Sequence, residues 1–220
     1  MLAPEEQAAY LKSLDQVRLA SERYLSTHRS PRQVIAFVAN LQDGVSRLLA
    51  TAIEQGVPVA CKVGCSHCCN ARVEAMPAEI FRIVRELQSR PTEELSRIVQ
   101  SLQAHVASPN EAAAWSQRRA CPFLHDNLCL IYEQRPKACR GAHSLDVSQC
   151  RTDAAEIAQD LATVVSTQAL SQGSAQAYKN QGFDSAPYEL GQAVLMAFSE
   201  ATAEARWYAG EAVFAGDRQR

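Results

Sequence analysis

The chain has 220 residues, eight of them cysteine, and a formal charge of −2 at neutral pH. That length and an apolar fraction of 47 % suffice for a core without covalent staples, and the balanced charge excludes the broad basic field that nucleic acid or an anionic membrane surface would need. The opening "MLAPEEQAAYLKSLDQVRLA" lacks the basic, then apolar, then small-residue order of a signal peptide, and no apolar run is long enough to span a bilayer, so a cytoplasmic location is expected, with no nucleic-acid and no membrane partner.

Taken in chain order, residues 1–57 read as N-terminal helices. A first stretch, about 4–27, carries Leu14, Val17 and Tyr24 at helical spacing. A second begins at Pro31, ends at Gly56 and Pro58, and repeats Val34, Val38, Leu41, Val45, Leu48 and Ala52 at spacings of four and three, the period of one buried helical face. Pro77 opens a third with Ile80, Phe81, Val84 and Leu87. Pro91 and Thr92 start a fourth with Leu95, Ile98, Val99, Leu102 and Val106 on one face, and Glu93 and Glu94 in its first turn complement the helix dipole. From Asn110 to about Cys150 a short Ala-rich piece gives way to a stretch with no sustained period, which reads as loop-rich, short of apolar side chains and dependent on something other than a core for its order. Residues 151–220 read as C-terminal helices: one around Ile157, Leu161, Val164 and Val165, and a last one through Leu190, Val194, Phe198, Ala201 and Ala205. "SQGSAQAYKNQGFDSAP" between them is a connection or a frayed helix end with a loop, and Met196 and Phe198 are assigned to the core. The fold class is all-α, a single domain over 1–220 in which a helical scaffold carries a central irregular cysteine-rich metal-binding insert at 61–150.

"CKVGCSHCC", residues 61–69, holds four of the eight cysteines. Cytosolic thiols are kept reduced, so such density points to metal or catalysis before disulfides, and a bond between the neighbours Cys68 and Cys69 would strain the peptide unit. A helix over these residues would gather all four thiols within an arc of roughly 100°, but Gly64 favours a turn leading into a short helix. Either arrangement lets at least three sulfurs converge, as a thiophilic metal requires. Cys121, Cys129, Cys139 and Cys150 supply a second half, and eight thiolates can build two four-cysteine sites or one cluster with spare thiols. Adjacent Cys68 and Cys69 sit uncomfortably on one mononuclear ion. Arg135, Lys137 and Arg140 lie near Cys139 in sequence, where they could offset thiolate charge, and Arg140 is expected just behind the ligands.

These two motifs, "CKVGCSHCCN" and "CPFLHDNLCLIYEQRPKACR", resemble the YkgJ-like cysteine-cluster family, a zinc- or iron-chelating domain with a CxxxCxxCC signature. Cys61, Cys65, Cys68 and Cys69 fall on the first motif; Cys121, Pro122, Phe123, Leu124, Cys129, Ile131, Tyr132, Arg135, Pro136, Cys139 and Arg140 fall on the second, and Cys150 on a further downstream cysteine. "HDNL" departs from the pattern, where a glycine is expected in the turn; Asn127 can take the same left-handed conformation. The resemblance implies metal chelation and supplies no reaction.

Cys61, Cys65 and Cys68 also satisfy CxxxCxxC, the spacing of radical SAM enzymes, but this chain has no strand series for their barrel, and nothing resembles a glycine-rich SAM loop. Some flagellin lysine methylases carry a resembling cysteine segment. His67, His125 and His143 are candidate partners for a catalytic cysteine or a mixed metal site, while His28 and His105 are expected on helix surfaces. The expected function is therefore metal binding, with Cys61, Cys65, Cys68, Cys69, Cys121, Cys129, Cys139 and Cys150 as ligands. The cofactor is zinc or iron, held as a mononuclear, polynuclear or iron–sulfur centre, and a binding role is favoured over an enzyme. The alternative is an iron–sulfur-dependent enzyme of methyl-transfer or redox type.

Overall fold

The computed structural model describes residues 3–107, 119–152 and 156–215, and these are mainly helical. The Ala-rich piece expected after Asn110 lies outside the described residues. Helix α1 spans Pro4–Thr27 and α2 Pro31–Glu54; both begin with proline at the first helical turn, and Ser30 caps α2 by accepting from the Gln33 N–H. After an irregular cysteine loop come α3 (Pro77–Gln88) and α4 (Thr92–Ala107), then the short α5 (Lys137–Gly141) and α6 (Val147–Arg151). Helices α7 (Leu161–Asn180), α8 (Leu190–Ser199) and α9 (Ala203–Tyr208) follow. Strands β1 (Glu74–Ala75), β2 (Leu124–His125), β3 (Leu128–Cys129) and β4 (Tyr188–Glu189) are two residues each and pair antiparallel as β1–β4 and β2–β3.

The core forms where the apolar period of α2 (Val34, Val38, Leu41, Val45) meets α3, whose Ile80, Phe81, Ile83 and Leu87 are essentially inaccessible to water. Burying each such side chain contributes about 1.5–3 kcal/mol. Phe81, Tyr178, Phe183, Trp207 and Phe214 pack at tilted or edge-on angles around it. Their polar handles are satisfied: the Tyr178 hydroxyl donates to the Val34 carbonyl at 2.6 Å and the Trp207 indole N–H to that of Asp184 at 2.8 Å.

Four expectations are corrected. Residues 171–180, read as a connection or a frayed end, are the second half of α7, while Ile157 precedes that helix. Its buried face is Thr163, Ala169, Gly173, Ser174, Ala177 and Tyr178; all but Tyr178 are small, which leaves no hydrophobic period to read but lets α1 come close. A Cβ on Gly173 would stand 2.5 Å from the Leu14 carbonyl oxygen. The last helix is two: α8 stops at Ser199, Glu200 is extended, and α9 restarts at Ala203. Met196 is exposed, although the next residue, Ala197, and Ala193 one turn before are buried. Finally, the cysteine-rich segment does reach the core, because Phe123 and Ile131 are buried to 0 % and 1 % exposure and join the same contiguous cluster as α2, α3 and α8.

Candidate metal centre

The first motif folds as the glycine suggested. Cys65 N–H donates to Lys62 O across a turn in which Gly64 has φ +81°, and a short 3₁₀ helix spans His67–Asn70. No atom lies within 4 Å of a Cβ on Gly64, so backbone conformation and not space demands glycine there.

The second motif is laid alongside. Cys121 N–H donates to Cys69 O at 2.7 Å and Arg119 N–H to Asn70 O at 2.9 Å, a strand-like splice of two segments remote in sequence. The chain then makes a hairpin in which Leu124 faces Cys129, with Asp126 (φ 48°) and Asn127 (φ 61°) both left-handed, the requirement of a type I′ turn. Asn127 thus does what a glycine would. It also accepts a hydrogen bond from the Ser66 hydroxyl at 3.0 Å, tying the hairpin tip to the first loop.

Cys139 sits on α5 and Cys150 on α6. Helix α6 is capped by Asp146, which accepts from the Ser148 N–H at 2.8 Å, and packs on the His67–Asn70 turn. Ala60 N–H donates to Ser144 O, setting Cys61 beside the same corner.

All eight cysteines are thiols and not disulfides, and the folding just described brings them into one neighbourhood. The strongest sulfur neighbours of Cys61 are Cys65, Cys68 and Cys150. Those of Cys139 are Cys121, Cys129 and Cys68, and those of Cys69 are Cys68, Cys121 and Cys129. Among the described residues no three Cys, His, Asp or Glu side chains already converge into a finished coordination shell. The sulfurs form a gathered array.

Its electrostatics favour a cation. Burial pushes the Cys121 thiol up to about 11 and those of Cys61, Cys129 and Cys139 above the ordinary thiol range. The Cys69 thiol donates to the Cys68 sulfur, which lowers Cys68, assisted by Arg135, and raises Cys69. Thiols this costly to ionise give up their protons when a metal ion takes their place.

Of the three cations named, Arg135 is the one whose charge acts on the sulfurs, with a lowering effect on Cys68, Cys129 and Cys139, and its guanidinium stacks 4.0 Å from the centre of the Tyr132 ring. Its Nε is buried without a hydrogen-bond partner. A donor orphaned beside a thiol cluster fits a thiolate-bound group, which would supply the missing acceptor.

Arg140 faces elsewhere. It donates to the carbonyls of Arg135 and Glu133 at 3.1 and 2.6 Å and to the Ser46 hydroxyl at 2.9 Å, fastening the backbone that carries Arg135 onto α2. Lys137 is buried against Glu79, whose carboxylate also accepts from the Lys137 N–H at 2.8 Å.

The histidines divide. Both ring nitrogens of His143 are engaged, with Gly141 O and with the Asp160 N–H at 2.9 Å each, so it is a satisfied buried group. His125 is 66 % exposed beside Asp126, and His67 lies half-buried on the 3₁₀ turn. His28 stacks on Tyr24. His105, expected on a surface, is instead 9 % exposed and meets Glu189 at 3.2 Å and Arg119 at 3.2 Å. That contact and the Glu79–Lys137 pair were not legible in the sequence, although Glu79, third residue after the Met76 cap, carries a capping signal.

Residues 60–163 match the CxxCxxCC family. The family is described as a "Putative zinc- or iron-chelating domain". The match spans just under half the chain and takes in all eight cysteines, from Cys61 to Cys150. It agrees with the resemblance carried by the two motifs and supports a metal ion as what the CxxCxxCC segment binds. No curated protein and no solved structure matches the chain. Among the described residues no helix is long and apolar enough to cross a membrane.

Proposed function

We propose that this chain is a metal-binding protein that holds zinc or iron on thiolates of the CxxCxxCC segment, drawn from Cys61, Cys65, Cys68, Cys69, Cys121, Cys129, Cys139 and Cys150. The observation that carries the reading is the Cys69–Cys121 splice, which places both halves of the cysteine set around one another, with the orphaned Arg135 Nε beside them. Soft, all-sulfur donors suit zinc and iron and disfavour magnesium or calcium. Loading requires the side chains to rotate inward from the gathered array, and the metal then contributes folding energy to a segment anchored in the core mainly by Phe123 and Ile131. Arg140 acts through Arg135, as a positioning residue. The chain works as one domain in a reducing compartment, the cytoplasm, where the thiols stay available.

A second reading is an iron–sulfur-dependent enzyme of methyl-transfer or redox type. It is favoured by the exposure of Cys61 and Cys68, which leaves one side of the array open to a cosubstrate.

Metal analysis and an absorption spectrum of protein purified without air decide between them. Near-stoichiometric zinc and a colourless solution support the binding role and count against the cluster enzyme. A brown protein with iron and acid-labile sulfide favours the enzyme reading. A metal-free, folded protein with its cysteines in disulfides overturns both.

A further inference from the structure

The vicinal pair Cys68–Cys69 stands at the junction between two groups of sulfurs that the fold assembles by different routes. On the outer side, the 61–65 turn is held against the Ser144 corner by the Ala60 N–H, and α6, which carries Cys150, packs against the His67–Asn70 turn. Cys61 is exposed there and Cys65 and Cys150 are half-buried. On the inner side, the Cys69–Cys121 splice, the Leu124–Cys129 hairpin and α5 assemble Cys69, Cys121, Cys129 and Cys139, and Cys121 and Cys129 pack against the core cluster that holds Phe123 and Ile131. The strongest sulfur neighbours follow the same two groups, Cys65 and Cys150 for Cys61 but Cys121 and Cys129 for both Cys69 and Cys139, while Cys68 neighbours both groups, as its place at the junction requires.

We infer that the CxxCxxCC segment holds two metal ions, an outer one on Cys61, Cys65, Cys68 and Cys150 and an inner one on Cys69, Cys121, Cys129 and Cys139. The inference rests on the metal-binding reading and adds its stoichiometry and its ligand partition. It accounts for three observations together. Four thiolates complete a tetrahedral zinc-type site, and eight complete two with none left over. Adjacent cysteines, which crowd one ion, each serve a different ion, and with their Cα atoms about 3.8 Å apart the two ions become neighbours. Eight thiolates on two divalent ions leave an excess of negative charge, and the positive charge of Arg135, whose Nε is buried without a partner, acts on Cys68, Cys129 and Cys139 across that boundary. No electron or group transfer is involved; each bound ion displaces the thiol protons to water.

The test uses the full chain, reduced, stripped of metal and titrated with zinc alone under argon, with a chromophoric competitor to count tight sites. A cobalt titration read by its sulfur-to-metal charge-transfer absorption repeats the count. We expect two ions per wild-type chain. Cys61→Ser and Cys150→Ser, both at the periphery, should each reduce the count to one while the far-ultraviolet circular dichroism stays unchanged. Cys129→Ser should also leave one ion, and in a Cys61→Ser/Cys150→Ser double variant the count should stay at one. A single ion in the wild type overturns the partition and leaves the metal-binding reading standing, as does loss of both ions on Cys150→Ser with the fold retained. Four irons with four sulfides in the purified wild type also overturn it. Absence of any tight zinc, cobalt or iron overturns the metal-binding reading itself.

Discussion

The backbone N–H of Cys121 donates to the carbonyl oxygen of Cys69 at 2.7 Å, and this bond joins two cysteine motifs that no local structure connects. If metal ties the two motifs together, its removal should open this splice before it opens the core. Hydrogen exchange with and without a thiol-competent chelator should show the Cys121 and Arg119 amides losing protection while those of Val38 and Ile83 in α2 and α3 keep theirs. Protection at Cys121 that survives complete stripping would mean that Phe123 and Ile131 alone hold the segment.

The buried pair Glu79–Lys137, 4 % and 5 % exposed, joins the start of α3 to the start of α5, the helix that carries Cys139. Glu79→Ala leaves an ammonium with only the Met76 sulfur at 3.1 Å, together with an unpaired Lys137 N–H. A loss of about 3–5 kcal/mol in urea unfolding is expected. Adding Lys137→Met should recover part of it, since the uncompensated charge is then gone.

Gly173 lets α7 approach α1 more closely than any side chain allows. With a Cβ 2.5 Å from Leu14 O, Gly173→Ala must push the helices apart and should cost about 1–3 kcal/mol. Gly44→Ala meets the flexible tip of Leu170 at 2.9 Å and should cost less. Calorimetry of the two variants gives the order. A Gly173→Ala protein as stable as wild type would refute the tight contact.

Stability should fall with acid partly through Glu189. Burial opposes its charge, but hydrogen bonds from His105 and from the Gln192 and Gly191 N–H groups outweigh burial and hold the carboxyl below the usual range. The folded value is therefore the lower one. The contribution is complete above the unfolded value and is lost as pH drops through the folded value, from about pH 5 downward. Urea unfolding between roughly pH 3 and pH 6 should give a shallower acid slope for Glu189→Gln than for wild type. Equal slopes would mean that the carboxyl titrates alike in both states.

The sequence alone determined the local structure. Proline starts and the four-and-three period mark α1 to α4 within a residue or two, because helix ends and buried faces are encoded by neighbours along the chain. The cysteine spacing and the turn at Gly64 were equally plain, as was the capacity of Asn127 for a left-handed conformation. Only the tertiary structure decided which polar groups face the thiols. Arg135, Lys137 and Arg140 all lie near Cys139 in sequence and Arg140 was the one expected behind the ligands, yet it is the charge of Arg135 that acts on the sulfurs, while Lys137 meets Glu79 and Arg140 grips backbone carbonyls. The second half of α7 and the break between α8 and α9 were hidden for the same reason. Small-residue packing and buried ion pairs draw their energy from segments remote in sequence, so no local pattern announces them until the chain has folded.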